Sequence, residues 1–68
     1  MERYNLWTHY PDPVNMKKDK IISKQIQYRS VPRIGEKVVL QSEVFAVTDI
    51  IHEIDENRII IKLEFTNW

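Results

Sequence analysis

Hydrophobic and polar positions alternate most cleanly in KIISKQIQYRSV, Lys20 to Val31. Ile22, Ile26 and Tyr28 fall on one side, and Ser23, Gln25, Gln27 and Arg29 on the other, with Lys24 interrupting the apolar set. A period of two marks a strand with one face in the core, so a first strand is expected here. Val31-Pro32 ends it, because proline brings no ladder donor and restrains the residue before it. EKVVLQ then sets Val38 and Leu40 on one face, with Gln41-Ser42-Glu43 as a short connection.

VFAVTDIIHEID is long for one flat strand and its phase changes midway. Phe45 and Val47 share one phase, whereas Ile50, His52 and Ile54 share the other, so a bulge near Thr48-Asp49 is needed to bring both sets onto one core. Val47, Ile50, Ile51 and Ile54 also fit helical spacing, but the β-branched and aromatic content favours a strand. DENR closes a hairpin, with Asn57 suited to a left-handed conformation. IIIKLEF returns with Ile59, Ile61, Leu63 and Phe65 inward and Ile60, Lys62 and Glu64 outward. These elements predict an all-β fold, a small SH3-like or related barrel of four to five antiparallel strands. Residues 1–20 show no clean period and hold Pro11 and Pro13, so they read as an extended aromatic N-terminal arm on a barrel domain spanning 21–68.

Gly35 is the sole glycine, and between the Pro32 break and the Val38 strand it reads as a tight-turn residue. The surrounding pattern carries a resemblance. Val31-Pro32-Arg33-Ile34-Gly35-Glu36-Lys37-Val38, then Phe45-x-Val47, Ile50-x-His52, Asp55-x-Asn57 and Ile59-x-Ile61-x-Leu63, resembles small uncharacterised single-barrel proteins encoded by bacteria and their phages. The likeness covers residues 31–65. It implies a barrel scaffold and a bacterial or phage origin, and it brings no catalytic residue with it.

Composition narrows the functional classes. The chain has 68 residues and no cysteine, so neither disulfides nor thiolate zinc sites can staple it. It shows no secretory leader pattern and no apolar run long enough for a bilayer, so a cytoplasmic protein with no membrane partner is expected. Net charge is zero but uneven: residues 1–37 carry about +4 and residues 38–68 about −4. His52 reads as a half-buried rim residue, and His9 lies in the expected arm. Asp49, Glu53 and Asp55 read as a solvated acidic face, and Ser23, Ser30 and Ser42 have no base or elbow motif around them. No catalytic residue, no metal ligand and no cofactor is expected, and the chain does not read as an enzyme.

Binding is the remaining class. Tyr4, Trp7, Tyr10 and Trp68, with Leu6, are residue types that anchor protein interfaces, and a domain this small has little core to hold them. The sequence therefore predicts a non-catalytic protein–protein interaction module, docking on a protein partner or on itself as a homo-oligomer. The alternative is a single-stranded nucleic-acid-binding barrel using segment 17–37. There Lys17, Lys18, Lys20, Lys24, Arg29 and Arg33 would meet phosphates while a base stacks on Tyr28. Zero net charge weighs against that alternative.

Overall fold

The structure, a computed structural model, describes residues 3–68. Five strands form one sheet: β1 (Tyr4–Asp12), β2 (Lys17–Tyr28), β3 (Lys37–Leu40), β4 (Glu43–Glu53) and β5 (Arg58–Phe65). Their order is β2-β1-β5-β4-β3, with β1 running parallel to β5 and every other neighbouring pair antiparallel. The all-β class is as the alternation predicts. The sheet, however, is not closed into a barrel: among the described residues β2 and β3 each have a paired neighbour on one side only.

The largest departure lies in residues 1–20. Of the expected arm, residues 1 and 2 lie outside the described residues; most of the rest forms β1 and the beginning of β2. β1 sits between β2 and β5 and is covered on both faces. Leu6, Thr8, Tyr10 and Asp12 point to the core, and on the other face Pro11 is buried and Trp7 and His9 are half-buried. A strand covered on both sides has no reason to alternate, which is why the hydropathy pattern hides it.

The core is built by Leu6 and Tyr10 of β1, Phe45 and Val47 of β4, and Ile61 and Leu63 of β5. Phe45 is its centre: Tyr10 meets it edge-on at 5.4 Å and Phe65 stacks on it at 5.4 Å. Ile22 and Ile26 from β2, and Val38 and Leu40 from β3, pack around the same cluster. Both edge strands therefore curl toward one core without pairing. The predicted bulge is present, since Val47 pairs with Leu63 and Asp49 with Lys62, leaving Thr48 as the extra residue. It puts Phe45, Val47 and Ile50 in one inward set. The Thr48 hydroxyl donates to the Lys62 carbonyl at 3.2 Å across the bulge.

Turn chemistry follows the sequence in most places. Gly35 has φ +92° at the third position of a turn in which the Glu36 N–H donates to the Arg33 carbonyl at 3.0 Å. A positive φ at that position is where glycine belongs. The Gly35 N–H then donates to the Val47 carbonyl at 3.0 Å, tying the turn to the bulged strand. Asn57 has φ 53° in the β4–β5 turn, as expected. Gln41 and Ser42, both at positive φ, form the two-residue β3–β4 turn without the Asn or Gly such a turn favours.

The β1–β2 turn is organised by Asp12, a buried carboxylate. It accepts hydrogen bonds from the Val14 N–H at 2.9 Å, the Asn15 N–H at 3.4 Å and the Asn15 side-chain amide at 3.0 Å, and Lys20 lies 3.7 Å away. The Asn15 side chain first, then the two backbone donors and Lys20, hold its pKa below the ordinary 3.8 against the opposing effect of burial.

Candidate interaction edge

The aromatic residues singled out in the sequence do not share a surface. Tyr10 is fully buried and belongs to the core, so the partner-facing role expected of it is corrected. Trp7 lies on the outer face of β1 beside Ile60, with the Arg58 guanidinium 5.4 Å from its ring centroid. Arg58 Nε in turn donates to Glu53 at 2.8 Å, so this group is a surface network internal to the fold. Trp68 is exposed beyond β5. Tyr4 is exposed too, and it lies directly across from Tyr28 on β2.

The residues named for nucleic acid are better gathered. Lys17, Lys18, Lys20, Lys24 and Tyr28 lie along β2, Arg29 follows it and Arg33 sits in the next turn, and all are exposed. Lys20 is drawn toward Asp12. His52 is exposed rather than half-buried; it pairs in register with Ile59, whereas His9 pairs with Lys62 on the opposite face of the sheet. Glu53 is held by Arg58, Asp49 faces Lys62 in register and Asp55 lies in a turn. Among the described residues, no three His, Asp or Glu side chains converge as a metal site would require.

What the sequence pattern does not reveal is the contrast between the two free edges. β3 is four residues long, and the ammonium of its first residue, Lys37, is engaged by the Asn67 and Trp68 carbonyls at 2.6 and 2.7 Å. Short strands of this kind are poor templates for another chain. β2 is 12 residues long, and its pairing with β1 is regular from Ile21 to Tyr28. Only Ile22 and Ile26 on it are even half-buried.

The direction of the β2 backbone can be read from one hydrogen bond. The Thr8 hydroxyl donates to the Lys24 carbonyl at 2.8 Å, so that carbonyl faces β1. In an antiparallel strand the N–H and C=O of a residue point to the same side, and the side alternates along the chain. The backbone groups of Ser23, Gln25 and Gln27 therefore face the open edge.

Two grooves border β2, one of them at its free edge. One, about 630 Å³, separates β2 from β3 and is lined by Ile26, Tyr28, Pro32, Val38 and Leu40. The other, about 740 Å³, opens where β1 and β5 diverge beyond their last paired residues, His9 and Lys62. Lys18 and Lys62 line it together with Asp49 and Glu64, so its charge selects neither anions nor cations. No family model matches the chain, and no curated protein or solved structure is similar to it.

Proposed function

We propose that this protein is a non-catalytic protein–protein interaction module that works by accepting a strand at the free edge of β2. The observation that carries this reading is the unpaired edge itself: a regular run from Ile21 to Tyr28 with β1 on one side and, among the described residues, no strand paired on the other, where a groove separates it from β3. An incoming extended segment would gain main-chain hydrogen bonds from Ser23, Gln25 and Gln27, and apolar contact from Ile22, Ile26 and Tyr28. The partner is a protein, either another chain or a second copy of this one. The resemblance over residues 31–65 suits a module of bacteria or their phages, and a chain without cysteine suits the cytoplasm.

A second reading has its own support. Exposed Lys17, Lys18, Lys20 and Lys24 on the strand that carries exposed Tyr28 give single-stranded nucleic acid both phosphate partners and a stacking ring. Sedimentation over a concentration series, with and without a mixed-sequence oligonucleotide at two salt concentrations, separates the readings. With a second copy as partner, the protein reading expects association that ignores the oligonucleotide; with another chain as partner, it expects a monomer indifferent to oligonucleotide and salt. A chain that stays monomeric alone and shifts only with oligonucleotide at low salt overturns it in favour of nucleic acid.

A further inference from the structure

Given strand addition at β2, on which this inference rests, the geometry points to a second copy of the same chain as the occupant. We infer that two β2 strands pair antiparallel about a two-fold axis through Gln25. A two-fold antiparallel pair is fixed by its central residue, and only a few centres keep the pairing within the regular run 21–28. Centring on Ile22 sets Lys20 against Lys24 of the other copy, and centring on Lys24 sets the two Lys24 side chains directly opposite. Like charges directly opposite destabilise a sheet. Centring on Ser23 or Ile26 avoids this but leaves only five residues of each copy within the regular run.

Centring on Gln25 uses residues 22–28, the longest ladder free of directly opposed like charges. On the inner face Ile22 lies opposite Tyr28 of the other copy, and Lys24 lays its alkyl stem against Ile26. On the outer face the two Gln25 amides meet, and Ser23 meets Gln27. Backbone direction agrees: Ser23, Gln25 and Gln27, whose N–H and C=O groups face outward, become the hydrogen-bonded pairs. The half-buried Ile22 and Ile26 and the exposed Tyr28 would all gain cover.

Lys24 acquires a specific role in this arrangement. A lysine on the inner face of an edge strand is a device against indiscriminate pairing, and here it forbids the registers on either side of Ser23. Across the axis the two Lys24 side chains stand diagonally, about 7–8 Å apart at the backbone. Their repulsion is moderate and is screened by salt, so self-association tightens as ionic strength rises. Binding to nucleic acid has the opposite salt dependence.

The chain holds no cysteine, so a single introduced thiol reports one contact. Opposed residues of a hydrogen-bonded pair have Cα atoms about 5.5 Å apart, within disulfide reach. Under mild oxidation Gln25→Cys is expected to give a covalent dimer, and Ser23→Cys and Gln27→Cys to cross-link when mixed but not separately. Gln25→Pro, which removes an outward donor while leaving the β1 ladder, is expected to weaken dimerisation about tenfold or more, because both copies lose a hydrogen bond. Each variant is checked for an unchanged urea midpoint. Association that Gln25→Pro weakens but that cross-links at another position overturns the register and keeps strand addition. Association indifferent to Gln25→Pro overturns both. A parent chain that stays monomeric at every concentration and salt overturns the second copy as occupant and leaves the edge to another protein's strand.

Discussion

β1 and β2 are two arms of one hairpin, yet they sit at opposite extremes of burial. From Leu6 to Asp12 every residue of β1 is buried or half-buried, whereas ten of the twelve residues of β2 are exposed. Position in the sheet accounts for the difference: β1 lies between β2 and β5, while β2 has only β1. The strand with the cleaner amphipathic pattern is thus the one that is buried less, and the strand that looks like a loose arm holds two of the six central core residues. Alternation reports that one face is wet. It does not report how much the dry face contributes.

Truncating a β1 side chain is the strongest way to test that asymmetry. Tyr10→Ala removes a fully buried ring packed edge-on against Phe45, and an aromatic-to-alanine change in a core costs about 3–5 kcal/mol. In a domain this small that is enough for urea denaturation to find little folded protein. The matched change on the edge, Ile26→Ala, removes a half-buried side chain and is expected to cost about 1–2 kcal/mol, below the core range. Equal losses at the two positions would undo the comparison.

Tyr10→Phe sharpens it with the opposite sign. The Tyr10 hydroxyl is buried and has no hydrogen-bond partner among the described residues. An unsatisfied buried hydroxyl carries a desolvation penalty of about 1–3 kcal/mol, so its removal is expected to raise the urea midpoint. A lower midpoint would mean that the hydroxyl has a partner, such as a bound water.

Asp12 joins the buried strand to the exposed one, and pH tests that joint. Its folded pKa is lowered, so its contribution is complete above the unfolded value near 4 and is lost as pH falls through the folded value. Urea midpoints followed downward from pH 5 are therefore expected to drop more steeply for the parent chain than for Asp12→Asn. Superimposable pH profiles would remove Asp12 from the account. The smallest effect is expected at Lys24→Gln, within about 0.5 kcal/mol for the single chain, although the same change is expected to tighten self-association.

The part of the fold that is legible in the sequence is the part exposed on one face. In β4 and β5 the inward set Phe45, Val47, Ile50, Ile61 and Leu63 can be placed, and so can the bulge, because one extra residue is what shifts an alternating strand out of phase. Gly35 and Asn57 announce their turns through backbone chemistry. β1 is hidden by its two covered faces, and Pro11 and Pro13 make it look like a loop. Its parallel pairing with β5 leaves no local trace, since no turn joins the two strands. The candidate edge is half legible: the residues of β2 read as a strand, but a strand's place in the sheet depends on partners far along the chain. Trp7 and Tyr10 look like surface anchors for the same reason, because the number of aromatics suggests a surplus only if the core is thought to exclude β1.

The parallel pairing of β1 with β5 joins residues 53 positions apart, as Leu6 with Ile59. During translation, at about 5–20 residues per second, β1 therefore waits about 3–10 s for its second neighbour to be made. Until then it can pair only with β2, and a lone two-stranded hairpin is marginal in water. Leu6, Trp7 and Tyr10 are uncovered throughout that interval. Beside them in that hairpin stand Lys17, Lys18, Lys20 and Lys24 of β2, and charges of this kind are what blunt the aggregation of an exposed strand edge, so the edge strand brings its own guard to the interval before β5 is made.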